Sequence, residues 1–364
     1  MRNEELGIGT LTPPLPDWRR RRVRSPHASR RTPHSARRAV LTGLATLAVL
    51  HLGLAVWLDH GPPRVRDPEY GKRLTAALRQ QATGRPLVAC VGSSRLAMGL
   101  RPGVLGDTDP ALANLALAGS GPVMELMAYR RAVGDGLKPA AVLVEYWPAF
   151  LDEEGPQRED IRIDAGRLRP VDRPLVREYF RDPDGVLALA ARHTRNPWWE
   201  HRKSLMNQVA ASWLPYHQRS DALFAPIDPW GWLPGRTDPN DADRAGAVAA
   251  ARSFYEPLFQ RYTVSEMADR ALRTVIAECQ AAGTPVALVY LPESAGFTGL
   301  MPPAAKQKAD EHLAAVRRDT GVPLIDCRGW VDDRALPDGF HLTQAGAAEL
   351  TPKLAAAVRR WLDR

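Results

Sequence analysis

The 364-residue chain carries 49 Lys and Arg against 41 Asp and Glu, a net charge of +8. Residues 1–38 hold ten Arg and three acids, and the rest, 39 basic against 38 acidic residues, is nearly neutral. A charge confined to a terminal arm leaves no basic face on the folded part, which argues against nucleic-acid binding driven by counterion release.

Residues 1–38 are rich in Pro, Arg and Ser. They contain too little apolar surface to order themselves, so a disordered basic cytoplasmic arm is predicted. Residues 39–58, AVLTGLATLAVLHLGLAVWL, are 20 uncharged positions, which as a helix cross about 30 Å of hydrocarbon. This segment is predicted to be a single transmembrane helix, with Trp57 as an interface anchor and His51 tolerated as a neutral imidazole near the outer end. The cluster Arg30, Arg31, Arg37 and Arg38 just before it sets the N-terminus in the cytoplasm. Everything after Asp59 is then extracytoplasmic, in the periplasm or at the cell surface. The segment LDHGPPRVRDP offers no A-x-A cleavage pattern, so an uncleaved anchor is expected.

Residues 59–84 read as a linker and a lead-in helix at about 70–82. The apolar segment Leu87–Val91 then reads as a buried strand, residues 114–117 as a second and 140–146 as a third, with a helix at about 123–133 between the last two. The alternation resumes with a helix at 265–281, a strand at 286–291, a helix at 304–318, a strand at 323–327 and a last helix after Thr343. Five strands separated by helices predict a doubly wound, parallel α/β sheet, whose ligand site lies at the carboxyl ends of the strands. At about 151–262 the pattern breaks into a stretch rich in Pro, Arg and Trp. An insertion of that length in a compact domain is predicted to be largely helical and to cap the sheet edge.

Cys90, Cys279 and Cys327 lack the spacing of a disulfide framework or a metal site and read as buried thiols. No phosphate-binding glycine loop, zinc-type His/Glu helix or dinucleotide fingerprint appears, so neither a metal nor a cofactor is expected.

The chemistry concentrates in two places. Gly92-Ser93-Ser94-Arg95 follows the first strand directly, where a sharp turn presents a hydroxyl above the sheet. The alternative for Ser93 or Ser94 is an ordinary helix cap. Asp338-Gly339-Phe340-His341 precedes the last helix. An Asp three residues before a His can accept from imidazole Nδ1, leaving Nε2 to take a serine proton.

Together these elements resemble the SGNH (GDSL-like) hydrolase superfamily, whose nucleophile follows the first strand and whose Asp-x-x-His precedes the last helix. The resemblance covers most of residues 85–364 and implies a three-layer α/β/α, flavodoxin-like domain. It implies a catalytic triad of Ser94, Asp338 and His341. Residues 114–119, Asn-Leu-Ala-Leu-Ala-Gly, look like the family's second block, so Gly119 inherits an oxyanion-hole role beside the Ser94 amide. Two departures stand out: Ser93 replaces the usual Asp, and the Gly-x-Asn block after the third strand is replaced by Val144-Glu145-Tyr146-Trp147-Pro148. Tyr146 and Trp147 are candidate replacement donors, with packing under the insertion as the alternative. Glu145 is expected to pair with Arg95 or to contact substrate.

With its N-terminal anchor, the chain looks like the SGNH-like envelope proteins that assist acylation of alginate, other exopolysaccharides and teichoic acids. That resemblance implies serine-dependent acyl transfer to a polysaccharide hydroxyl and a multi-pass membrane O-acyltransferase as partner. An esterase that deacylates envelope glycans or lipids, and a non-catalytic scaffold that binds a membrane acyltransferase, are the competing readings.

Overall fold

The computed structural model describes residues 33–61, 63–152, 159, 163–215, 219 and 226–364. The arm expected over residues 1–38 therefore lies outside the described residues up to position 32. The chain divides into two compact units at the Leu50/His51 boundary.

The helix Pro33–His60 opens on a proline, which supplies helical φ where no amide partner is needed. Its portion from Ser35 to His60 is long and apolar enough to cross a membrane, with mean hydropathy 2.1 over its most apolar 18 residues.

The second unit is built on a five-stranded parallel sheet. Its strands are β1 (Leu87–Val91), β2 (Ala111–Asn114), β3 (Ala141–Glu145), β4 (Val286–Tyr290) and β5 (Leu324–Asp326). They lie in the order β2-β1-β3-β4-β5. Register is fixed by pairs such as Cys90 with Asn114, Val91 with Val144, Glu145 with Val289 and Tyr290 with Asp326. Successive side chains of β1 enter opposite cores. Leu87, Ala89 and Val91 join Tyr70, Leu74, Leu126, Leu272 and Val275, whereas Val88 and Cys90 join Leu96, Leu350, Leu354 and Val358. Burial on both sides explains why the strands read as continuous apolar runs. Each fully buried Leu or Val contributes roughly 1.5–3 kcal/mol relative to exposure.

β2 begins three residues earlier than the sequence suggests. Asn114 ends the strand, and its Nδ2 donates to the carbonyls of Leu96 (3.3 Å), Ala97 (3.1 Å) and Leu100 (2.8 Å), satisfying the end of the helix Ser94–Gly99. The extended backbone then continues, with Leu115 N–H donating to Cys90 O and Leu117 N–H to Gly92 O, both at 2.9 Å. The strand was hard to read because its opening residues, Ala111 to Ala113, include two alanines, which have weak β-propensity.

The segment between β3 and β4 carries the helices Arg173–Tyr179, Pro183–Arg195, Pro197–Glu200, Arg202–Ala210 and Asp241–Gln260 before the sheet-layer helix Glu266–Ala281. Much of its proline sits at helix starts, as in Pro183 and Pro197, where the missing amide is harmless. Its two ends meet: Asp152 bridges Val264 in antiparallel fashion, and Ser265 N–H donates to Leu151 O at 2.7 Å.

The lead-in helix Pro68–Gln81 is held by buried charge. Its N-cap Asp67 pairs with Arg131 at 3.0 Å and Arg167 at 2.6 Å, and Arg131 also pairs with Asp172 at 2.6 Å.

Candidate active site

At the carboxyl end of β1 the chain turns through Gly92 and Ser93 into the helix Ser94–Gly99, with Ser93 as N-cap: its hydroxyl accepts from Arg95 N–H at 3.2 Å. The capping role thus falls to Ser93 and leaves the Ser94 hydroxyl to point elsewhere. Ser94 is half-buried, and its Oγ lies 2.7 Å from His341 Nε2. His341 Nδ1 lies 2.8 Å from Asp338 Oδ2, and Asp338 Oδ1 accepts from the amides of Phe340 (3.1 Å) and His341 (2.8 Å). Residues 247 positions apart are brought together because β1 and the turn before the helix Gln344–Leu362 both open at the same edge of the sheet layer.

Burial by itself raises the Asp338 carboxyl, but hydrogen bonding and attraction from His341, with the two backbone amides, outweigh it and hold the group below the usual carboxylate range. An ionised Asp338 fixes the imidazole proton on Nδ1, which leaves Nε2 as acceptor for the Ser94 hydroxyl.

Glu145, fully buried at the end of β3, supports the nucleophile turn. Its Oε2 accepts from Ser93 N–H at 2.7 Å, and its Oε1 lies 3.6 Å from Arg95 Nη1. Burial pushes this carboxyl above its usual range, against the opposing pull of Arg95 and the Ser93 amide. Arg95 is itself buried. Its Nη2 donates to Leu291 O (2.9 Å) and Pro292 O (3.0 Å), its Nη1 lies 3.3 Å from Glu293 Oε1, and it stands 4.7 Å over the Trp147 ring.

Tyr146 and Trp147 donate away from Ser94. The Tyr146 hydroxyl bonds to Ala309 O at 2.9 Å and lies 3.0 Å from His312 Nδ1, while Trp147 Nε1 donates to Glu293 Oε1 at 2.7 Å. Both donor groups are engaged in packing the sheet against its surroundings. Trp147 also joins Phe150, Tyr255, Phe297 and Phe340 in an aromatic cluster, and Phe340 in turn lies 4.3 Å from the His341 ring.

Gly119 sits in the turn that ends the extended run after β2. Ser120 N–H closes on Leu117 O at 3.0 Å, and Gly119 has φ +78°, the positive value such a turn demands at its third residue. The lead-in helix anchors this turn, since Glu69 accepts from Ala118 N–H at 2.8 Å.

Beside His341 and Asp338 lies an open cleft of about 390 Å³ whose wall includes Met98, Pro234, Gly235 and Arg236. The 232–237 stretch is stitched there by main-chain groups and one indole: Leu233 N–H donates to Ala97 O (3.2 Å), Trp232 Nε1 to Met98 O (2.7 Å) and Gln344 N–H to Arg236 O (3.0 Å). Glu293 and Arg236 carry no motif in the sequence. The proximity of Glu293 to a strand's carboxyl end was the one signal available for it.

Cys90, Cys279 and Cys327 are free and buried. Among the described residues no group of three or more His, Cys, Asp or Glu is arranged to hold a metal ion. Compared with known proteins, the chain matches no family model and no curated protein.

Proposed function

We propose that the protein is a membrane-anchored, SGNH-type serine acyltransferase acting outside the cytoplasm on cell-envelope polysaccharide. The observation that carries this reading is the hydrogen-bonded run Ser94–His341–Asp338, at 2.7 Å and 2.8 Å. The strand order β2-β1-β3-β4-β5 is that of flavodoxin-like doubly wound sheets, which supports a three-layer α/β/α domain.

In this mechanism His341 Nε2 takes the Ser94 proton as Oγ attacks an ester or thioester carbonyl. The tetrahedral oxyanion is met by the amides of Ser94 and Gly119, in the place where preorganised donors act most strongly. Collapse expels the alcohol or thiol, which receives the proton from His341, and leaves the acyl group on Ser94. An acceptor sugar hydroxyl then gives its proton to His341 and attacks the acyl-serine, releasing the acylated sugar and restoring Ser94. Asp338 holds the imidazole in the required tautomer and stabilises the imidazolium. Glu145 and Arg95 set the backbone from which Ser94 projects.

The arginines before the apolar helix support an orientation with the N-terminus in the cytoplasm and the domain outside. A multi-pass membrane O-acyltransferase is the natural acyl donor for a domain held in that position. The open cleft at His341 favours a second reading, in which water resolves the acyl-enzyme and the protein is an esterase.

The test is turnover of p-nitrophenyl acetate by the full chain in detergent, for wild type and Ser94→Ala, with and without a glycan acceptor. Loss of turnover in Ser94→Ala with acceptor-dependent product supports transfer. Loss with water as the sole acceptor supports the esterase. Equal, negligible rates in both proteins would leave a scaffold that binds a partner acyltransferase.

A further inference from the structure

Five of the exposed large apolar side chains of the second unit beyond residue 60 lie in one stretch of the insertion: Leu189 (54%), Trp198 (48%), Trp199 (63%), Val209 (83%) and Trp213 (77%), while Val171 (61%) stands apart from them. Such grouping is unlike the scattered single exposures expected of a soluble surface. The helices that carry them are short of cover. Among the described side chains, neither Pro183–Arg195 nor Arg202–Ala210 contains a fully buried residue, and helices of 13 and nine residues gain little stability alone in water. Between the apolar residues stand exposed cations, Arg192, Arg195, Arg202 and Lys203, with Arg202 lying 4.1 Å over the Trp199 ring.

This stretch lies beside the end of the apolar helix. The helix Arg202–Ala210 packs on the short helix Pro63–Arg66. Arg66 is bonded to Asp59, within the last turn of Pro33–His60, and His201 lies within electrostatic reach of both. Two residues before Asp59, Trp57 is 42% exposed. Tryptophan with flanking arginine and lysine is the composition that settles at the level of lipid headgroups, and the cations add attraction to anionic lipids.

We propose that residues 189–213 form a second, peripheral membrane contact, in which Trp199 and Trp213 enter the headgroup region next to the exit of the transmembrane helix. The cations meet anionic headgroups around them. The occupant of this surface is thus the bilayer. The proposal rests on reading Pro33–His60 as a membrane span.

The test uses the full chain reconstituted in vesicles of phosphatidylcholine and phosphatidylglycerol. Since Cys90, Cys279 and Cys327 are buried, single labelling sites are made by Trp199→Cys or Trp213→Cys, with Glu311→Cys on the exposed face of Pro303–Thr320 as reference. Each carries an environment-sensitive fluorophore, and nitroxide-bearing lipids serve as quencher. Blue-shifted emission and lipid quenching at positions 199 and 213, absent at 311, is the expected result. Emission at 199 and 213 matching 311, in vesicles that retain the chain after alkaline carbonate washing, overturns the contact while leaving the span intact. A blue shift without lipid quenching points to a protein partner and also overturns it. Extraction by carbonate overturns the span and the contact together.

Discussion

The backbone amide of Ser93 donates to Glu145 Oε2 at 2.7 Å, and on the other side of Ser94 the Arg95 guanidinium approaches Oε1 of the same carboxylate at 3.6 Å. One buried side chain from β3 therefore grips the nucleophile turn from both flanks.

Removing it should unseat that turn. Glu145→Ala leaves the Ser93 amide and Arg95 buried without their shared acceptor, a loss expected to cost about 3–5 kcal/mol of stability. Glu145→Gln keeps an oxygen acceptor for the Ser93 amide, so it should retain more of the stability than Glu145→Ala. Denaturant unfolding of the two variants measures the difference. Equal losses would mean that Ser93 does not depend on Glu145.

Asp338→Asn should preserve the loop but permit the wrong imidazole tautomer. In a serine protease the equivalent change lowers kcat by about 10⁴, and a fall of that order in p-nitrophenyl acetate turnover, with far-UV circular dichroism unchanged, is expected here. A loss below tenfold would show that His341 is oriented by something else.

The depressed Asp338 pKa has a consequence for acid stability. A carboxyl whose folded value lies below its unfolded value, about 3.9 for Asp, contributes stability in full above that unfolded value. The contribution is lost as pH falls through the folded value. Wild type should therefore lose more stability than Asp338→Asn between about pH 5 and pH 2. Parallel stability curves for the two proteins over that range would contradict the assignment.

Gly339 has φ +99°, and a Cβ there would lie 2.7 Å from Phe297 Cβ. Gly339→Ala combines backbone strain with overpacking, each costing about 1–3 kcal/mol. Because Gly339 lies between Asp338 and His341, turnover should fall together with the melting temperature. An alanine variant with wild-type melting and turnover would mean that the loop relaxes freely.

The parts of the fold that proved legible share one property: their signal is local. Continuous apolar runs marked β1, β3 and β4, and Ser94 and the Asp338–His341 pair are set in short turn motifs next to those elements. What stayed hidden depends on distant partners. Gly121, the N-cap of the helix Pro122–Gly134, has no side chain to cap with. Glu159 does so from 38 residues away, accepting from Gly121 N–H (2.8 Å) and Met124 N–H (2.7 Å) through Oε1 and from Val123 N–H (2.8 Å) through Oε2. Nothing near Glu159 in the sequence announces that task. Likewise Glu293 gains its meaning from Arg95 and Trp147, and Arg236 from a cleft assembled by three separate segments.

The antiparallel bridge between Asp152 and Val264 makes the insertion an excursion that leaves the sheet layer and returns to the same point. Its length is therefore decoupled from the geometry of β3 and β4. Homologous chains are free to lengthen, shorten or exchange the material between these two residues, and an engineer could graft a different cap here. The freedom has boundaries: Glu159 caps the helix Pro122–Gly134, Arg167 and Asp172 pair with Asp67 and Arg131, and Tyr255 packs on Trp147. Residues 232–237 must be kept, since Trp232 belongs to the inner core and the Arg236 carbonyl holds Gln344. A transplanted cap would have to deliver all of these residues to the same places.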